Sequence, residues 1–229
     1  MNLTVLGKYG PYPKAGNHAS SCYLVSDNGT NLVMDMGPGS LSKLWEKIDI
    51  KEIDAIFISH LHYDHTSDLL PFRYLLEDLD HTVTIYTQLD ETEWCKLLFD
   101  HPNFNVIGVT SESRVNVGSM ELSFYDMKHT VPCLAVKIKG SKALAYTGDT
   151  LYNDNIPSAI DGADAVLMDC SKPAGFNGPH MNVEIAKDIY DKYNIRIIST
   201  HLSPDYDPSE EYNNYPAIIT AEENTTYEI

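Results

Sequence analysis

The sequence predicts an α/β sandwich of four layers, αββα, in which two sheets pack face to face and helices cover their outer faces. Three observations carry that prediction. Short β-type runs and helical runs alternate as strands, helix, strands, helix; two such halves follow one another; and no Pro-, Gly- or Ser-rich linker divides them. With 229 residues, the chain is long enough for one well-cored domain spanning 1–229, with an acidic tail from about residue 205. Hydrophobic residues at 43% and charged residues at 21% are ordinary for a globular protein, which excludes disordered and fibrous classes.

Leu3–Leu6 reads as a strand. Ser21–Ser26 and Asn31–Asp35 flank the turn residues Asp27-Asn28-Gly29 and read as a hairpin. Leu41–Ile48 has helical spacing. Ile53–Ser59 is a nearly continuous apolar run, as in a buried strand whose end delivers a loop. Apolar residues recur at helical intervals over Leu69–Leu79, followed by a strand at Val83–Tyr86 and a helix at Glu91–Leu98. From Val115 to Thr147 the pattern is β again, with strands at Ser119–Met127, Cys133–Ile138 and Lys142–Thr147 that imply a second sheet. Ala165–Asp169 is a strand, Val183–Tyr193 an amphipathic helix capped by Asn182, and Arg196–Thr200 a strand ending at His201. The tail beyond Pro204 is polar and tyrosine-rich, and Pro216–Ile219 is its one segment suited to docking back.

A formal net charge of −17 disfavours long nucleic acid, whose binders present a basic face to phosphates. No basic leader followed by an apolar stretch opens the chain, and no run approaches membrane-spanning length, so a cytoplasmic protein without membrane contact is expected. The four cysteines are widely spaced, with no C-x-x-C pair, and read as free thiols.

The densest chemical signal is His60-Leu61-His62-Tyr63-Asp64-His65. In an extended segment His60 and His62 point to the same side and can share one ion, while Asp64 and His65 can turn toward a second as the next helix begins. Four such side chains packed together would repel or stay unsatisfied without a cation between them. Three further residues follow strand ends: His129 after Met127, Asp149 after Thr147-Gly148, and His201 after Thr200. Each is ordinary alone, since a lone strand-end histidine is common and a turn or cap role explains Asp149 equally well. Together they point one way.

In the order of these motifs the chain resembles the metallo-β-lactamase superfamily, from Val5-Leu6-Gly7 to the strand before His201. That resemblance implies the superfamily's αββα fold and two divalent metal ions. Zinc is the first expectation, although the same donors accept manganese or iron(II). It assigns His60, His62 and His129 to one ion, Asp64, His65 and His201 to the other, and Asp149 to a bridge. Lactam-hydrolysing members usually carry a cysteine at Asp149 and a signal peptide, and di-iron flavoproteins a glutamate at His62; none of these three features is read here. The segment Ser20–Val25 and Gly178-Pro179-His180-Met181-Asn182 resemble the ribonuclease Z and small phosphodiesterase group. His180 matches a histidine that helps protonate the leaving group there, although its neighbours differ and a plain loop residue remains an alternative. The 20 positions from His129 to Asp149 hold a hairpin but not the arm with which ribonuclease Z grips transfer RNA.

The function this implies is hydrolysis of a small or cyclic nucleotide-like phosphodiester by metal-bound hydroxide, with Asp64 orienting the water and His180 supplying a proton. Alternatives are hydrolysis of a thioester, lactone or other acyl bond at the same site, a mononuclear iron dioxygenase, and a binding protein without catalysis. A homodimer is compatible with the resemblance. Tyr9, Tyr12, Tyr63 and Tyr152 are candidate pocket residues.

Overall fold

The computed structural model describes all 229 residues, Met1 to Ile229. The first sheet contains β1 (Asn2–Gly7), β2 (Cys22–Asp27), β3 (Thr30–Met34), β4 (Ala55–Phe57), β5 (Val83–Thr87) and β6 (Phe104–Gly108) in that spatial order, with β14 (Thr225–Glu228) beside β1. The second runs β13-β12-β11-β10-β9-β8-β7, built from β7 (Arg114–Val117), β8 (Met120–Met127), β9 (Cys133–Lys139), β10 (Ala143–Tyr146), β11 (Ala165–Asp169), β12 (Arg196–Thr200) and β13 (Ile218–Thr220). Helices α1 (Ser40–Lys47), α3 (Leu69–Leu79) and α4 (Glu93–Phe99) accompany the first sheet, and α5 (Ile156–Ile160) and α6 (Val183–Tyr193) the second. Between β4 and α3 lies α2 (Tyr63–Thr66), a single turn.

Three buried clusters correspond to the three interfaces of a four-layer sandwich. Alternate residues of both sheets, among them Val25, Phe57, Phe124, Val136 and Leu167, interdigitate in the middle. Ile56 and Ile85 pack outward against Leu44, Phe72 and Leu98 of the first helical layer. On the opposite side, Val166 and Ile197 meet Ala186 and Ile189 of α6. Asn182 caps α6 as its sequence position implies, its Oδ1 accepting from the N–H groups of Glu184 at 3.1 Å and Ile185 at 3.0 Å.

Where sequence and structure differ, the cause is local pattern losing to distant partners. The apolar run Ile53–Ser59 forms a strand only over Ala55–Phe57, because Ile58 and Ser59 already belong to the loop entering the site. β6 went unpredicted: it is an edge strand whose polar and apolar residues mix. α5 is five residues long, too short to show a period. The acidic tail supplies two strands, β13 parallel to β12 and β14 antiparallel to β1, so that it joins both sheets. Its expected docking segment is shifted from Pro216–Ile219 to Ile218–Thr220.

Strand direction positions the site. β3 and β4 are parallel, as are β10, β11 and β12, and β8 runs with β10 because both are antiparallel to β9. Within each sheet the C-terminal ends therefore share one rim. Two hydrogen bonds tie the rims together across the sandwich: Tyr146 donates to Asp35 at 2.6 Å, and the Tyr23 and Thr200 hydroxyls meet at 2.9 Å.

Candidate metal centre

At that rim the chain gathers His60 and His62 from beyond β4, Asp64 and His65 from α2, His129 from beyond β8, Asp149 from beyond β10 and His201 from beyond β12. Gly148 makes the turn before Asp149 at φ +57°, where an added Cβ would come within 2.9 Å of Cys133 Sγ. Gly10 lets the N-terminal loop pass over His201; a Cβ there would overlap the imidazole, 1.9 Å from Nε2. His201 itself has φ +59°, a left-handed conformation whose carbonyl is held by Ser171 Oγ at 2.8 Å and Lys172 Nζ at 3.3 Å.

The donors fall into two overlapping sets. In the first, His60 Nε2 and His129 Nε2 lie 3.0 and 3.2 Å from His62 Nδ1, and 3.7 and 3.8 Å from Asp149 Oδ2. In the second, His201 Nε2 is 3.1 Å from both Asp64 Oδ2 and Asp149 Oδ2, while His65 Nε2 is 3.5 Å from Asp64 and 3.4 Å from Asp149 Oδ1. Donors about 2.0–2.1 Å from a tetrahedral ion stand about 3.3–3.4 Å apart, so both sets have the right size. Asp149 belongs to both.

The nitrogens turned away from the centre are mostly tied down, as ligand histidines require. Ser59 Oγ gives its proton to Asp35 at 2.8 Å and so accepts from His60 Nδ1 at 3.0 Å, leaving the Nε2 lone pair inward. His65 Nδ1 donates to Asp35 at 2.7 Å, His129 Nδ1 to the Pro179 carbonyl at 3.1 Å, and His62 Nε2 to Thr130 Oγ1 at 3.3 Å. Three inward lone pairs at this spacing repel one another unless a cation lies between them.

Electrostatics agrees with that requirement. Burial, followed by the charge of neighbouring histidines, holds His60 well below the usual imidazole range, and burial likewise lowers His62 and His129. These rings stay neutral and fit to bind metal. At His65 burial acts in the same sense, but Asp149, Asp64 and Asp35 overcome it and raise the pKa well above normal. Carboxylates that favour an imidazolium equally favour a metal cation. Despite burial, His201 and His65 beside it hold Asp149 well below the usual carboxylate range.

His180 lies against the same centre. Its Nδ1 meets Asp169 Oδ2 at 2.8 Å and is 3.8 Å from Asp149, and its ring stacks on His201 with centroids 4.7 Å apart. Burial works against its charge, yet Asp169 outweighs it and the pKa is raised. Two residues here escaped sequence reasoning, Asp35 and Asp169. Each terminates a buried apolar strand in Val/Leu/Met-Asp, and that was the available signal. Of the candidate pocket tyrosines, Tyr63 flanks His62 in a pocket, Tyr152 lines a different one with Ile185 of α6, Tyr9 is buried against His18, and Tyr12 is exposed.

Fold and site together are those of a metal-dependent hydrolase. Residues 30–201 match the beta-lactamase superfamily domain, and the chain belongs to that superfamily. It is 31% identical over 192 residues to the probable metallo-hydrolase YhfI of Bacillus subtilis, covering 80% of this chain and 78% of that one. The crystal structure of YhfI superposes with a TM-score of 0.89 over 99% of this chain and 98% of its own, at 26% identity. Ribonuclease Z of Saccharolobus islandicus is 24% identical, with 83% of this chain and 84% of that one aligned. A diphosphatase of the PhnP family shares the fold at a TM-score of 0.81 and 20% identity, over 100% of this chain and 97% of that one.

Proposed function

We propose that the protein is a dinuclear hydrolase of small phosphodiesters. His60, His62 and His129 would hold one divalent ion and Asp64, His65 and His201 the other, with Asp149 able to serve both. When bound, such a pair, with zinc the first expectation, lowers the pKa of a water and offsets charge on phosphate oxygens. Asp64 would also orient the attacking water.

The observation that carries the reading is the Asp169–His180 pair at 2.8 Å beside Asp149 and His201. With Nδ1 committed to Asp169, the nitrogen offered to substrate is Nε2, and its N–H can protonate a departing oxygen. An alkoxide leaving a phosphodiester needs that proton, whereas a thiolate leaving a thioester does not. Ribonuclease Z and the PhnP-family diphosphatase, both named for cleaving phosphate esters or anhydrides, support the same substrate class. The net charge of −17 and the short His129–Asp149 hairpin favour a substrate smaller than transfer RNA.

The test is turnover by metal-loaded protein of bis-p-nitrophenyl phosphate against acyl thioesters and lactones, with metal content measured in parallel. Phosphodiester hydrolysis with two ions per chain is expected. Activity confined to acyl substrates, or one iron per chain with oxygen uptake, would overturn the proposal.

A further inference from the structure

Beside His62 a pocket of about 320 Å³ opens between the ligand loop, the β5–α4 connection and residues 131–132. Leu61, Leu89, Val131 and Pro132 form its apolar walls. Tyr63 and Trp94 meet edge to face across one side, ring centroids 4.7 Å apart at 82°. Trp94 is anchored because its Nε1–H donates to the Leu61 carbonyl at 2.9 Å, which locks this wall to the backbone between His60 and His62. Tyr63 is 66% exposed and Leu89 54%, an apolar concentration at the surface that a fold does not need for its own stability.

The polar members of the lining narrow the choice of occupant. No lysine or arginine is among them, and Asp90 is, so a second phosphate is repelled. Gln88 also lines the pocket, its Oε1 unpaired and closed off from solvent, so that a ligand reaches it once the carboxamide turns about its last bond. A carboxamide presents an acceptor and donors on one edge, the complement of the amide-like edge of a nucleobase. The volume is at the small end for ligand pockets, which span about 300–1,000 Å³, so it suits one ring system rather than a dinucleotide.

We infer that this pocket receives the nucleobase of a mononucleotide-sized phosphodiester, stacked on the Tyr63–Trp94 wall and read by Gln88, with its phosphate at the donor cluster. The inference rests on the phosphodiester reading above and narrows it to nucleotide substrates. Base-on-aromatic stacking is strong enough to be measured by truncating a single side chain.

Two measurements test it in metal-loaded protein. The first compares kcat/KM for thymidine 5′-(p-nitrophenyl phosphate) with that for methyl p-nitrophenyl phosphate, which share a leaving group and differ in the retained one. The nucleotide should be preferred about tenfold, equivalent to about 1.4 kcal/mol. Trp94→Ala and the exposed Leu89→Asp should each bring the ratio of the two kcat/KM values to within about twofold of one, a ratio in which any loss common to both substrates cancels. The second uses a Trp45→Phe background, in which Trp94 is the sole indole, and follows its fluorescence during titration with thymidine or adenosine 5′-monophosphate against ribose 5-phosphate. Saturable quenching by the nucleotides alone is expected. Phosphodiester turnover with no preference for the nucleotide overturns the pocket assignment and leaves the reaction standing. Selective quenching without turnover of either ester supports the pocket and removes the reaction. Equal quenching by ribose 5-phosphate, or none, overturns the pocket.

Discussion

Two strands, one in each sheet, lead to nearly the same four residues. Leu32-Val33-Met34 closes β3 with Asp35 directly after it, and Val166-Leu167-Met168-Asp169 ends β11. Both aspartates are buried, and each reaches the Nδ1 of a histidine, Asp35 to His65 at 2.7 Å and Asp169 to His180 at 2.8 Å. Beyond that they diverge. Asp35 is saturated, accepting also from the Ser59 backbone N–H at 2.7 Å, the Ser59 hydroxyl at 2.8 Å and Tyr146 at 2.6 Å. Asp169 uses only Oδ2, toward His180 and the Thr150 N–H, while its buried Oδ1 stands 3.8 Å from His201 Nδ1, too far for a hydrogen bond. An unpaired buried acceptor costs about 1–3 kcal/mol, a loss tolerated mainly where function requires it. Asp35 thus behaves as a lock for the centre, and Asp169 as a support for the histidine proposed to work on substrate.

The comparison can be broken at three depths. The deepest is the proposed shared ligand: Asp149→Ala should lower kcat/KM by roughly 10³-fold or more and reduce the bound metal measured by elemental analysis. Retention of two ions and full turnover would mean that neither strand-end aspartate serves a metal centre. Next, Asp169→Asn should cost about 100-fold in kcat on alkyl phosphodiesters, the scale of one general acid. On p-nitrophenyl esters, whose leaving group needs no proton, the loss should be several-fold, with metal content unchanged. Equal losses on both would make Asp169 a second lock.

Legibility of the sequence followed the same division. The candidate donors that the fold gathers were readable because His60 through His65 are crowded into six positions, and because His129, Asp149 and His201 each follow a β-type run. Their supports were not. Asp35 and Asp169 look like any strand-ending aspartate until the fold brings His65, thirty positions on, or Tyr146 from the other sheet against them. The strands β13 and β14 were hidden for a related reason. Ile218–Thr220 is only three residues long, so its docking was expected but not its strand, and Thr225–Glu228 is polar; they are strands only because β12 and β1 offer open edges.

Asp35→Asn sharpens the other side of the comparison. An amide keeps the shape but loses the charge facing His65, so metal affinity should fall about tenfold, as measured with a competing chelator, with turnover restored at excess metal. The loss should not depend on the leaving group. A leaving-group dependence like that of Asp169→Asn would erase the distinction between lock and support.

The smallest effect on turnover is expected from a third carboxylate, Glu223, which separates loss of stability from loss of function. It sits in the tail between β13 and β14, pairs with Lys43 at 3.0 Å, accepts from the Ala19 N–H at 2.8 Å and meets His18 Nδ1. Like Asp35 its side chain is largely covered and multiply bonded, yet it contacts none of the proposed metal ligands. Glu223→Gln should therefore destabilise the fold by about 1–3 kcal/mol, read as a fall in Tm of roughly 2–12 °C at this chain length. Metal affinity and kcat at 25 °C should stay within about twofold. If turnover instead fell in proportion to stability, the losses expected at Asp35 could be laid to unfolding alone. The centre would then owe nothing specific to the strand end that carries it.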